Sequence, residues 1–320
     1  MTFTLLETFT LPSLMPVIGD YLIWLVEKVG NIGLAIVLFT ATLRVIMLPL
    51  DYWSRAGMKK NSLKMEVMKP QLDKLQKQYA HDKTLLNQKM QALYKKEGYS
   101  MMGSCLPMLV TMALFIIVFR AFNTYLQYNL IDSYNKMSAA YLAVGEDPVA
   151  WAAIAGDYAE SFSPSFLWIK NIWLSDVFWK QSVMDASTFE TLAGVSVDAT
   201  MSYNPMIEPF MAGSTINGYF ILPIICVLTA WLSQKIMTST QKTQTEMAGQ
   251  EQTQKMMAIM LPAMMGFFAI SSHTAFALYL VTSQLLSIFT TLLINKIVEI
   301  RFRKVIAEQE AQKEAQRLNR

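Results

Sequence analysis

Arg44 lies within 31–50, an otherwise apolar stretch long enough to cross a bilayer as a helix. A guanidinium keeps its charge in a protein, and at the centre of a membrane helix it costs roughly 2.5–3.5 kcal/mol on insertion scales. Three surroundings can offset that cost: a water-filled cavity, an anionic partner, or the nearby membrane surface. Arg44 is roughly 9 Å below the helix end at Leu50, at about 1.5 Å per residue, so a long side chain can also snorkel much of the distance. The chemistry open to it is electrostatic, because a fixed cation in a hydrated cleft attracts acidic groups. Catalytic patterns are missing. The sequence has no phosphate-binding glycine loop, no nucleophile motif and no Cys/His metal spacing, and His81 and His273 stand far from other ligand types. The expectation is a non-enzymatic protein without cofactor or metal.

The elements that must position Arg44 follow from composition. Apolar residues make up 53% of the chain and charged residues 16%, against about 25% charged in soluble domains. This predicts an all-α, polytopic membrane protein. Five transmembrane helices are expected, at 31–50, 103–123, 216–236, 256–272 and 275–297. The last two meet at Ser271-Ser272-His273-Thr274 and should form an antiparallel pair. Cys105 and Cys226 fall in separate spans and read as small hydrophobes rather than a disulfide. No internal repeat is visible, which speaks against an inverted-repeat transporter.

Charge sets the expected orientation. Segment 51–102 carries eleven basic and five acidic residues, whereas 124–215 carries three basic and ten acidic. The positive-inside rule makes 51–102 cytosolic and 124–215 an extracytoplasmic loop, with the amino terminus outside and the carboxyl terminus inside. Residues 1–30 hold no cationic signal-peptide start; Tyr21 and Trp24 suit an interfacial amphipathic helix over 18–28. Within 51–102, Met68, Leu72, Leu75 and Tyr79, and then Leu86, Met90 and Leu93, repeat at helical spacing. With a reversal at Ala80-His81-Asp82-Lys83, they predict a helical hairpin whose first arm Pro70 bends or begins. Its basic surface fits a ribosome, a nascent chain or anionic lipid. A cytosolic loop at 237–255 and a basic cytosolic tail at 298–320 complete the domain plan. The 23 methionines, clustered at Met256, Met257, Met260, Met264 and Met265, would suit varied apolar clients or simple packing.

Several segments in this order carry a resemblance. Arg44 is followed by Leu48-Pro49-Leu50, and the hairpin holds Met65-Glu66-Val67-Met68-Lys69-Pro70 and Met90-Gln91-Ala92-Leu93-Tyr94-Lys95-Lys96-Glu97-Gly98. Gly103-Ser104-Cys105-Leu106-Pro107-Met108-Leu109 opens the second span. Phe166-Leu167-Trp168, Pro223 and Leu278-Tyr279-Leu280-Val281-Thr282-Ser283-Gln284 follow. The order, over roughly 18–123 and 165–300, resembles the YidC-type membrane protein insertases.

The resemblance implies a five-helix core around a polar groove open to the cytosol and to lipid. Arg44 matches the groove arginine, Thr111 would line the groove from the second span, and Gln234 and Gln284 are further groove candidates. A polar residue in a span can equally bond a neighbouring helix, for about 0.6 kcal/mol. The implied activity moves short hydrophilic tails through the groove and releases apolar helices into the bilayer of a bacterial plasma membrane. Implied partners are nascent membrane proteins and membrane lipids, with the ribosome, Sec translocon and signal-recognition machinery beside them, and no DNA. The start directly on the core suggests the Gram-positive type, without the large extracytoplasmic domain. The sequence departs from the family in lacking an amino-terminal lipoprotein cysteine, in Ser272-His273-Thr274-Ala275 before the fifth span, and in the long loop 124–215. The competing reading is a small transporter or channel with Arg44 as an intramembrane anion or proton-coupled site. The lack of Asp or Glu well inside any span weighs against it.

Overall fold

The computed structural model describes residues 14–99, 102–240 and 250–318. Parts of the expected amino-terminal segment, hairpin, 237–255 loop and tail therefore lie outside the described residues, as do the side chains of Cys105 and Met257. The described chain is helical. Its helices are α1 (Leu14–Val29), α2 (Ile32–Gln78), α3 (Lys83–Lys96), α4 (Met102–Ala143), α5 (Pro148–Ile154), α6 (Ala159–Phe162), α7 (Ala186–Ala193), α8 (Asn204–Met211), α9 (Ile221–Thr240), α10 (Gln250–Ser271) and α11 (Thr274–Leu318). Among the described residues, β pairing is confined to the isolated bridges Phe166–Ile169 and Gln181–Ile216.

Among the described residues, three helical stretches are long and apolar enough to cross a membrane: Ile32–Gln78, Val110–Ala143 and Thr274–Glu308, with mean hydropathies of 2.1, 1.4 and 1.8 over their best windows. Ile221–Met237 and Ala258–Ser271 are apolar but shorter. The helices run well past the apolar segments read from the sequence. Helix α2 continues through both Pro49 and Pro70 to Gln78, so Pro70 neither ends nor begins it. An internal proline removes one backbone hydrogen bond at about 3 kcal/mol, and burial of Met68 and Leu72 on either side of Pro70 holds the helix together there.

The chain forms two compact units. One contains Met1–Thr42, Ala113–Ala230 and Pro262–Gln284; the other contains Leu43–Met112, Trp231–Leu261 and Leu285–Arg320.

In the first unit, Phe122 packs against Phe39, Phe276 and Tyr279 at centroid distances of 5.8, 6.2 and 5.7 Å. The long segment after α4 has its own core, with Trp151, Phe162, Phe189 and Tyr203 fully buried. Trp151 donates its indole N–H to the Met206 carbonyl at 2.9 Å. Buried Asn171 and Asn217 tie the irregular chain by side-chain bonds to backbone at 2.8–3.1 Å. Asp176, also fully buried, accepts the backbone N–H groups of Phe220 and Leu222 at 3.2 and 2.7 Å and the Trp168 indole N–H at 3.3 Å. It thereby satisfies donors at the start of α9, which has no preceding turn to do so. Gly218 permits the approach, because a Cβ there would overlap the Asp176 carboxyl. The first turn of α11 docks on the same segment: Thr274 and Ala275 donate their backbone N–H groups to the Leu174 and Ile172 carbonyls at 2.9 and 3.0 Å.

In the second unit, Met65, Met68 and Leu72 of α2 pack with Leu93 and Tyr94 of α3, flanked by Leu75, Met90 and Tyr99. Asp82 caps α3 by accepting the Leu85 N–H at 2.9 Å. Lys64 donates to the Gly98 carbonyl at 2.6 Å.

Two predictions follow from the buried polar groups of the first unit. Removing the cap by Asp176→Ala leaves the α9 donors unpaired and should cost about 3 kcal/mol, read as a lowered unfolding midpoint in detergent. His273, between the apolar segments of α10 and α11, accepts the Phe276 N–H on Nδ1 at 3.2 Å, and burial pushes its pKa down to about 4. Below pH 6.5 the unfolded ring takes up a proton while the folded ring stays neutral. Stability is therefore full above pH 6.5 and falls as pH drops toward 4. The His273→Gln variant should show a flatter stability profile across that window.

Candidate functional site

Arg44, Asp51 and Arg55 recur at helical spacing on one face of α2, within the second unit. The opposite face is apolar and open, with Val45 and Ile46 63% and 65% exposed, as expected of a lipid-facing surface. On α11 of the same unit, Ser287, Thr290, Thr291 and Asn295 form a polar stripe between the exposed apolar residues Phe289, Leu292 and Leu293.

The two faces meet. Arg44 donates from Nε to Thr290 Oγ1 at 3.1 Å, and from Nη2 to Thr290 Oγ1 at 2.8 Å and Ser287 Oγ at 3.0 Å. The rigid guanidinium fork thus rests on neutral hydroxyls. Its nearest opposite charge comes from its own helix: Asp51 Oδ2 is 3.0 Å from Nη2, the two side chains being 18% and 24% exposed. That oxygen is buried yet receives no aligned hydrogen bond, so the pair is a charge contact off the N–H axis. Arg55 donates to Thr291 Oγ1 at 2.5 Å and to Asn295 Oδ1 at 3.3 Å. It is attracted by Asp51 and repelled by Arg44. Two fixed cations therefore share one carboxylate. Further along, Arg301 donates to the Tyr52 hydroxyl at 2.7 Å.

Three other residues are expected to line a groove. Thr111 is at an exposed position of α4, and Gln234 is half-buried in α9; both belong to the second unit. Gln284 belongs to the first. Its Oε1 accepts from Thr229 Oγ1 at 3.2 Å and its Nε2 meets Cys226 Sγ at 3.7 Å. Cys226 in turn contacts the Met265 carbonyl at 3.7 Å, so Gln284 joins a polar stitch among α9, α10 and α11. Sequence reasoning missed Asp51, Arg55, Ser287, Thr290, Thr291 and Asn295 as members of the Arg44 site. The spacing of charged residues on α2, and of small polar residues on an apolar α11, was the available signal.

A part-buried cation seated on hydroxyls along an apolar helix narrows the functional classes, and comparison with known proteins decides the family. The family model of the 60Kd inner membrane protein matches residues 24–301. The chain belongs to that family. Relatives named membrane protein insertase YidC align over most of it. The protein of Wolinella succinogenes is 27% identical over 285 residues, covering 89% of this chain and 37% of the relative. That of Ruegeria is 26% identical over 229 residues, covering 68% and 34%, and that of Oceanobacillus iheyensis is 28% identical over 285 residues, covering 85% and 80%. The chain thus spans about a third of the length of the first two relatives and most of the third. Membership in this YidC-type family, together with the long apolar helices, makes it a membrane protein.

The geometry separates two roles for polar residues within helices. Gln284→Leu should lower stability by about 0.6 kcal/mol, the usual size of an interhelical hydrogen bond in a membrane protein, measured by unfolding in detergent. The same variant should leave any preference for acidic ligands at Arg44 unchanged.

Proposed function

We propose that this protein is a membrane protein insertase and chaperone, moving short hydrophilic tails across the bilayer and releasing apolar helices into lipid. The observation that carries the reading is Arg44, held on an apolar helix by Ser287, Thr290 and Asp51, in a chain of the 60Kd inner membrane protein family. Most of the driving force comes from the client, since each Leu or Ile at a helix centre contributes about 0.3–0.6 kcal/mol. What the protein supplies is a short polar path for the tail. The hydroxyls of Ser287 and Thr290 and the charge of Arg44 lower the desolvation cost of a polar segment and attract its carboxylates. Thr111 and Gln234 extend the polar lining. No covalent chemistry, cofactor or metal enters this reading.

The topology belonging to it has five spans, at 31–50, 103–123, 216–236, 256–272 and 275–297, in a bacterial plasma membrane. The amino terminus is outside, the hairpin 51–102 and the tail cytosolic, and 124–215 outside. The uneven distribution of basic residues supports this orientation. Clients are nascent membrane proteins. The hairpin and tail offer basic surfaces to the ribosome and to anionic lipid, with the Sec translocon and signal-recognition machinery as delivery partners.

The test is insertion of single-span substrates into proteoliposomes. Wild-type protein should insert a substrate with a short acidic outer tail well above empty vesicles. Arg44→Glu should impair the acidic-tailed substrate about tenfold more than a neutral-tailed one, equivalent to ~1.4 kcal/mol of lost attraction. Equal impairment of both substrates would refute the electrostatic role of Arg44.

A further inference from the structure

The Arg44 seat already contains a carboxylate. We propose that Asp51 acts as a built-in competitor for acidic client tails, occupying the Arg44 cation at rest and giving way to an incoming Asp or Glu. This deepens the insertase reading and rests on it.

The geometry fits exchange better than permanent neutralisation. Asp51 Oδ2 lies 3.0 Å from Arg44 Nη2 but accepts no aligned hydrogen bond, whereas aligned hydrogen bonds from Nε and Nη2 end on the hydroxyls of Thr290 and Ser287. An off-axis charge contact forgoes the directional part of an Arg–carboxylate pair, so another carboxylate can replace it at little loss. Both partners also keep some exposure, 18% and 24%, leaving a route for a second carboxylate. Arg55 lies within electrostatic range of both groups. Asp51 sets its one negative charge against these two cations; without it, both guanidiniums present more of their charge to an entering tail.

Competition of this kind sets a threshold. A neutral tail gains nothing by displacing Asp51. A tail with one carboxylate exchanges like for like, and a more acidic tail displaces Asp51 and engages Arg55 as well. Asp51 is thus a specificity-determining residue acting through Arg44, and the client class is short extracytoplasmic tails bearing Asp or Glu.

Proteoliposomes containing the full chain test the idea, using single-span substrates whose tails carry either two Asp or two Asn. The readout is the ratio of acidic to neutral insertion. In Asp51→Asn the ratio should rise about fivefold, the upper end for a partly exposed ion pair. Asp51→Glu should keep the wild-type ratio. In an Arg44→Ala background, adding Asp51→Asn should raise the ratio by much less, since only Arg55 is then released. Thermal unfolding checks the fold of each variant, and Asp51→Ser replaces Asp51→Asn if the latter does not fold. An unchanged or lowered ratio in the neutralised variant overturns the proposal. So does an equal rise without Arg44, since Asp51 would then merely repel tails. Wild-type insertion no better than empty vesicles ends the insertase reading and this proposal with it, whereas wild-type insertion with an unmoved Asp51→Asn ratio ends this proposal alone.

Discussion

The second unit is organised around a charge that cannot be neutralised. Neither Arg44 nor Arg55 can shed its proton in a low-dielectric setting as a lysine can, so the surrounding structure must supply acceptors. It does so from one face of α11, with Ser287 and Thr290 for Arg44 and Thr291 and Asn295 for Arg55. Hydroxyls suit the task because they accept without adding charge. They keep the cation solvated while leaving its field largely uncancelled. Asp51 is the exception, and its off-axis approach cancels part of that field without locking the fork.

The first unit solves the opposite problem. It must order a long irregular segment rich in backbone groups that cannot be buried unpaired. Aromatic side chains supply the apolar interior around Trp151, Phe162, Phe189 and Tyr203. Asn171, Asn217 and Asp176 then satisfy the backbone where no helix or sheet can. The same segment receives the first turn of α11 on the carbonyls of Ile172 and Leu174, so the start of a long helix is set by a loop as well as by the His273 cap.

Much of this was legible in the sequence, because a charge in an apolar run and an apolar repeat at helical spacing are strong signals. Arg44 and the Met68, Leu72, Leu75, Met90 and Leu93 seam fall in that class. Asp51 and Arg55 were counted as loop charges, since they lie just past the apolar run and nothing local shows that they face back toward Arg44. The spacing of Ser287, Thr290 and Thr291 is only a weak signal, because small hydroxyl residues are common in apolar helices and often bond their own backbone. Asp176 was tallied as acidic loop charge, yet it is a buried acceptor for donors more than forty residues away. Pro70 does not mark a helix start, because proline rules describe local backbone cost and burial of Met68 and Leu72 flanks it on both sides. Gln284 reads identically in sequence whether it lines a cleft or stitches helices, and its contacts with Thr229 and Cys226, more than fifty residues away, leave no local signature.

The polar stripe on α11 has a further property. Ser287, Thr291 and Asn295 follow one another at four-residue intervals, about 6 Å apart along the axis and close to one helical turn. To a guanidinium reaching across from α2, this is a ladder with equally spaced rungs. If α11 were to slide by one turn, Thr291 would replace Ser287 at Arg44, but Ile294 would replace Thr290, which accepts two of its three bonds. Polar contacts usually pin two helices in a single register. Here Thr290, off the four-residue repeat, does the pinning, while rotation about the helix axis would carry every rung out of reach together.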